Sequence, residues 1–222
     1  MLPLPDGGDA MAATARPPVV DGRTARTRRT RAAIVDAHVA LLAEGGLRPT
    51  AEEIATRAGV SVRSLWIHFP DLEALFAATA AEVLARQDRA FRPVDPGLPL
   101  TDRIEAFCRQ RAAVLERVAP FARASILREP FSPALRDYRR RHVQRVLDEV
   151  HILFRADLSR MPEPDRSAVA HAIAASATWG PWASLRDDLG LSTARSRAVM
   201  VRTVNALLSD PELNPPDMEE TR

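Results

Sequence analysis

The sequence predicts an all-α protein, with a small N-terminal helix-turn-helix unit followed by a larger helical domain. Three observations predict it. Apolar residues recur at three-four spacing, as in Leu75, Phe76, Thr79 and Val83. Capping signals stand just ahead of these stripes: Thr50, Ser61, Asp71 and the pair Ser132-Pro133. No segment shows the strict alternation of a half-buried strand.

Residues 1–22 are rich in Pro, Gly and Ala and predict a disordered arm. From Thr30 the pattern becomes helical, with Ile34, Ala37, Leu41 and Leu42 on one stripe and Gly45-Gly46 as the stop. Thr50 then caps a second helix, and Glu53, three residues on, completes a capping box. Gly59 ends that helix at a position suited to a left-handed backbone. Ser61 caps a third helix, Pro70 breaks it, and Asp71 caps a fourth that buries Leu72, Leu75, Phe76, Thr79 and Val83. The domain boundaries read from this pattern are an arm at 1–22, a helix-turn-helix domain at 23–70, a larger helical domain at 71–210 and a fraying tail at 211–222.

Within the larger domain, "RPVDPGLP" at 92–99 is a linker. Helices follow at about Leu100 to Ala119 and Phe121 to Arg128, with the break at Pro120. A long helix starts at Ser132-Pro133, where a cap precedes proline in the first turn. After "MPEPD" comes a helix holding Val169, Ala172, Ile173 and Ser176, which Gly180-Pro181 should kink or split. A last helix runs from about Thr193 to Leu208, making about nine in all.

Composition narrows the function classes. With 46% hydrophobic and 27% charged residues, the chain has enough apolar content for a packed core. All 31 basic residues are arginine, yet the formal charge is only +2, so nucleic-acid affinity has to come from local clustering. Residues 22–31, "GRTARTRRTR", are such a cluster: Arg23, Arg26, Arg28, Arg29 and Arg31 with no acid among them. The run fits a solvated tail or a basic arm for phosphates or a minor groove. Cys108 stands alone, which excludes an intrachain disulfide and fits a small core residue. The opening "MLPLPDGGDAM" lacks a basic start and an apolar run, and no apolar run reaches membrane-spanning length, so a cytoplasmic location is expected. No zinc-protease helix, phosphate-binding glycine loop or nucleophile elbow is present, and the five histidines are scattered without metal-ligand spacing. No enzyme, metal or cofactor is therefore expected; Tyr138 beside arginines is thin support for a recombinase.

The stretch "SVRSLWIHFP", residues 61–70, carries the densest set of donors. Two short helices joined by a glycine turn, with Ala55, Gly59 and Leu65 where close crossing, a tight turn and a core anchor are needed, form either a helix-turn-helix or an ordinary helical corner. The wider segment from Arg28 to Phe76 resembles the DNA-binding domain of the TetR family of bacterial transcriptional regulators. The resemblance rests on Ile34-Val35-Asp36-Ala37, the turn from Glu44 to Leu47, Ile54-Ala55, Ala58-Gly59-Val60-Ser61 and His68-Phe69.

That resemblance implies a homodimeric, DNA-binding regulator, most simply a repressor released from a palindromic operator by a small molecule; activation, or DNA binding with no small-molecule sensor, remain alternatives. It places Val62 and Arg63 against base edges and gives Thr50, Ser61, Ser64 and His68 to the DNA backbone. Arg26, Arg28 and Arg29 would serve as phosphate contacts. Trp66 stands where the family usually has tyrosine, so its indole N–H would replace a phenol contact. Leu72 stands where a lysine is frequent, which removes one phosphate charge. Leu65, Ile67 and Phe69 are expected in the core. For the effector, the resemblance suggests Phe107, Phe121, Tyr138, His171 and Trp179, with Phe131 from the same enclosing helices, and it draws the dimer interface from 165–187 and 193–208; Trp182 is expected to be structural.

Overall fold

The computed structural model describes residues 22–209. The expectations for the arm and the tail fall outside them, except at Gly22, which opens the first helix. Ten α-helices make up the described residues: α1 Gly22–Ala43, α2 Ala51–Ala58, α3 Val62–His68, α4 Leu72–Ala90, α5 Leu100–Ile126, α6 Pro133–Leu153, α7 Arg155–Leu158, α8 Asp165–Ser176, α9 Trp179–Ala183 and α10 Thr193–Ser209. No strand occurs among them. The expected count was nine: α7 and α9, single turns too short to show a stripe in sequence, are added, and the two helices expected on either side of Pro120 are one.

The caps form as read. The Thr50 hydroxyl accepts from the Glu53 N–H at 3.2 Å, and the Glu53 carboxylate accepts from the Thr50 N–H at 2.7 Å. Gly59 adopts φ +67°, the left-handed conformation that lets the chain reverse between α2 and α3. Ser61, Asp71 and Ser132 each accept a backbone N–H three residues on.

Two boundaries differ from expectation. The helix predicted from Thr30 begins at Gly22, so Arg23, Arg26, Arg28 and Arg29 ride on two added helical turns. No proline or glycine lies between Gly22 and Gly45, and Arg and Ala favour helix. These turns bury almost nothing, so periodicity could not reveal them. The break predicted at Pro120 does not occur, and α5 runs through it. Proline forfeits one helical hydrogen bond, but Val118, Ala119, Phe121 and Ala124 are buried on both sides and hold the two halves in line.

Three apolar clusters organise the molecule. The first, built from Ile34, Ile54, Ala55, Leu65, Phe69 and Leu75, makes α1–α3 and the start of α4 one small domain. The largest fills the α5–α10 body around Phe107, Leu115, Val150, Phe154 and Trp182. The third is the joint between them. Leu42 of α1 and Phe76, Ala80 and Val83 of α4 pack there on Val118, Phe121 and Ala124 of α5 and Leu135 of α6. Burying Phe76 and Phe121 contributes about 1.5–3 kcal/mol each.

Polar contacts guard the joint. Asp36 of α1 pairs with Arg86 of α4, and Ser132 at the start of α6 donates to Glu73 of α4. The Arg128 guanidinium lies 4.4 Å from the Phe76 ring centroid. His38 meets Phe76 edge-on at 4.6 Å. The Thr79 hydroxyl gives its proton to the Leu75 carbonyl at 2.8 Å. His38 Nδ1 must therefore be the donor across the 2.8 Å contact to Thr79 Oγ1. Burial, reinforced by the Arg128 charge, pushes His38 down to about 4.

His142 is also buried, and burial with the Arg111 and Arg145 charges pushes it down to about 3. In the unfolded chain both groups return to the ordinary value of 6.5. The unfolded state then binds more protons, so stability is full above about pH 6.5 and falls as pH drops towards 4. The expected slope inside that window is about 1.4 kcal/mol per pH unit for each histidine. Urea unfolding of wild type and His38→Gln over this range checks it: the variant should show the smaller slope, and equal slopes would remove His38 from the account.

Candidate nucleic-acid interface and cavity

Helix α3 has two faces. Leu65 and Phe69, four residues apart, are fully buried in the small core. Arg63, Trp66 and Ile67 stand at the i, i+3, i+4 spacing that makes one outer face. Ile67 was expected in the core, but it is 73% exposed and Trp66 is 40% exposed. The reason is angular: Ile67 lies two residues from Leu65, across a seven-residue helix that can bury one stripe only. The missed signal was its spacing of four from Arg63. Val62 moves the other way, half-buried against the small core.

The other candidate positions surround this face. Thr50 and Ser61 are exposed caps at the N-termini of α2 and α3, where unpaired backbone N–H groups point outward. Ser64 and His68 are half-buried on α3. Arg26, Arg28 and Arg29 are exposed on the first turns of α1. Arg31, from the same run, is structural: it donates to the His68 carbonyl at 2.7 Å, and its guanidinium lies 4.1 Å from the Phe69 ring centroid. It therefore ties the end of α3 to α1. Arg57 and Glu44 bind side by side at 2.6 and 2.7 Å, fixing α2 to the end of α1.

A cavity of about 270 Å³ opens in the larger domain. Phe121, Tyr138 and Trp179 line it, and so do Val118 and Leu135 of the joint. The cavity wall and the domain joint are thus partly the same side chains. Phe107 is not among the lining residues; it is fully buried in the main core, edge-on to Phe154 at 5.7 Å. His171 is also outside the cavity, exposed on α8 with its ring against the Ser167 carbonyl. Phe131 is 87% exposed. Trp182 is buried, and its indole donates to Glu116 at 2.8 Å.

Sequence reading missed the polar chain behind the cavity. Arg111 donates to the Ala177 carbonyl and, at 3.1 Å, contacts His142 Nε2. Because arginine only donates, Nε2 is the acceptor and Nδ1 carries the proton. That proton goes to the Gln87 carbonyl oxygen at 3.2 Å. The Gln87 amide N–H then points at the Tyr138 hydroxyl, also at 3.2 Å. Gln87 belongs to α4, so the chain links the cavity wall to the helix that leaves the small domain. Arg111, His142 and Gln87 lie 31 and 55 residues apart in sequence across three helices, and no local pattern brings them together.

A family model described as bacterial regulatory proteins, tetR family, matches residues 34–79, the span from α1 to the middle of α4. Residues 34–79 form a TetR-family N-terminal domain. Solved structures share the fold over about four-fifths of the chain. A TetR-family transcriptional regulator from Mesorhizobium loti superposes with TM-score 0.55 at 22% identity, covering 82% of this chain and 96% of that one. A transcriptional regulator from Rhodococcus sp. Rha1 gives 0.54 at 18% identity, covering 82% and 95%. The multidrug binding protein EbrR, complexed with imidazole, gives 0.54 at 22% identity, covering 79% and 92%. No curated protein matches the chain.

The exposed face of α3 makes a direct prediction. Arg63→Ala should cost about 1–3 kcal/mol of affinity for the true operator and relax base preference at one position, because a guanidinium can bind guanine O6 and N7 together. Its thermal midpoint should be that of wild type, since the side chain is exposed. Gel-shift titration against an operator library measures both quantities. Unaltered affinity and preference would show that Arg63 reads no base.

Proposed function

We propose that this TetR-family regulator is a homodimeric repressor that a small molecule releases from a near-palindromic operator. One observation carries the reading: the cavity in the larger domain shares Val118, Phe121 and Leu135 with the joint that holds the small domain. Whatever fills the cavity presses on the side chains that set the angle of α4. A packed joint does not deform continuously but has discrete seats, so occupancy selects between them. The molecule acts only through the difference in its affinity for those seats.

In this reading, Arg63, Trp66 and Ile67 enter the major groove. Arg63 binds a guanine edge and Ile67 packs on a thymine methyl, taking the place at the base edges expected for Val62. Thr50, Ser61, Ser64 and His68 hold phosphates, as do Arg26, Arg28 and Arg29 from the start of α1. α3 is seven residues, about 10 Å long, and reads too few base pairs alone. Two copies set about 35 Å apart by a dimer read successive grooves.

The dimer face proposed is α8 with α10. On α8, Ala168, His171 and Ala175 form an exposed stripe of mostly small side chains. On α10, Arg195, Ala198, Val199, Arg202 and Ala206 lie opposite the buried Met200, Val204 and Leu208. Small residues allow the four helices of a two-fold pair to approach closely, and such an interface is self-complementary. DNA binding with no small-molecule sensor would call for a filled core, and the cavity argues against that reading.

DNase footprinting on the region upstream of the chain's own coding sequence tests the proposal. Two protected half-sites of inverted sequence, about 10 base pairs apart or a multiple of that, are expected. Purified protein that protects no upstream site, or protects a single half-site as a monomer, would refute it.

A further inference from the structure

We infer that the cavity takes an uncharged, flat and largely apolar molecule carrying a carbonyl oxygen: a ketone, ester or amide, in preference to a carboxylate or an amine. The inference rests on the reading of this cavity as the effector site and names the chemical class.

Charge is the first discriminator. Among the lining residues only Glu129 and Arg139 are ordinarily charged, and they pair with each other at 3.0 Å. His142 also lines the cavity, but it is held neutral, with Nδ1 and Nε2 both engaged. Behind it, the Arg111 guanidinium is directed at the Ala177 carbonyl and His142. An anion would therefore meet no unpaired cation. A cation would meet no unpaired carboxylate, and the Arg123 guanidinium already lies 5.3 Å from the Trp179 ring centroid. Burying an unpaired charge in such a place is strongly unfavourable.

Hydrogen-bond direction is the second. Tyr138 accepts from Gln87, which leaves its own hydroxyl proton for another acceptor. The indole N–H of Trp179 is buried and bonded to nothing. The Ser125 and Thr178 hydroxyls spend their protons on the Phe121 and Ala175 carbonyls. The spare uncharged side-chain donors of the lining are thus Tyr138 and Trp179, and both call for an acceptor oxygen. Shape is the third. Phe121 and Tyr138 meet edge-on at 5.2 Å, and with Trp179 they offer aromatic surface in a space at the small end of the ligand-pocket range.

A matched set of probes tests the class in the absence of DNA: 2-acetylnaphthalene, 2-ethylnaphthalene, 2-naphthoate and 2-(aminomethyl)naphthalene, each measured by equilibrium dialysis against the full-length protein. The ketone should bind about tenfold more tightly than the hydrocarbon, the worth of one hydrogen bond, and more tightly than either ion. Tyr138→Phe should erase most of the ketone's advantage while leaving hydrocarbon affinity nearly unchanged; Trp179→Phe should reduce it. The wild-type ranking decides the matter even if a variant folds poorly. Tightest binding by the naphthoate or the amine, equal binding of ketone and hydrocarbon, or no binding by any probe would overturn the inference. A ketone that binds as described yet leaves the operator footprint intact would uphold this assignment and count instead against effector release.

Discussion

The structure depends on one packed contact, the joint where Phe76 and Val83 of α4 meet Phe121, Val118 and Leu135 of the larger domain. The small domain has its own core, but its orientation is set where Leu42 and the α4 stripe are buried against the larger domain. Without that burial, α4 would be an ordinary exit helix and α3 would point wherever the linker allowed. The ion pair of Asp36 with Arg86, the Ser132–Glu73 contact and Arg128 over Phe76 surround the joint. Asp36–Arg86 is largely exposed and adds little by itself, so apolar packing supplies most of the energy.

The same contact explains how a change in the larger domain can be felt at α3. Phe121 has one side in the joint and another in the cavity, so there is no long path to postulate. A second link runs beside it through hydrogen bonds, from the Ala177 carbonyl through Arg111, His142 and Gln87 to Tyr138. Each proton in that series has one direction, because arginine can only donate and His142 must then donate from Nδ1. A buried network whose hydrogen bonds each have a fixed direction tends to hold one arrangement until something replaces a partner. Tyr138 and His142 are the members that line the cavity, and Gln87 is the member on α4.

Much of the fold was legible because it is locally determined. Thr50 with Glu53, Gly59, Ser61 and Asp71 are signals a few residues long, and each produced the cap or turn it implied. The α4 stripe and the Ser132-Pro133 start were equally plain. What sequence missed was set by tertiary context. The first turns of α1 bury little and carry no apolar pattern, and Pro120 is tolerated because the core grips both of its sides. Ile67 is apolar yet exposed, because a seven-residue helix buries only one stripe and Ile67 lies off it. Among the cavity candidates, Phe121, Tyr138 and Trp179 line it, whereas Phe107 and His171 do not. Nothing in a stretch of amphipathic helix says which of its buried aromatics borders a void.

The central claim is that cavity wall and domain joint are one packed unit, and amide hydrogen exchange of Phe121→Ala tests it most directly. Removing the ring takes side-chain contacts from both faces at once. The account predicts faster exchange in the C-terminal half of α1 and the middle of α4, along with the α5 and α6 segments that border the cavity, while α2 and α3 keep wild-type protection. Faster exchange confined to α5 and α6, with α1 and α4 unchanged, would contradict it and separate the cavity from the orientation of α3.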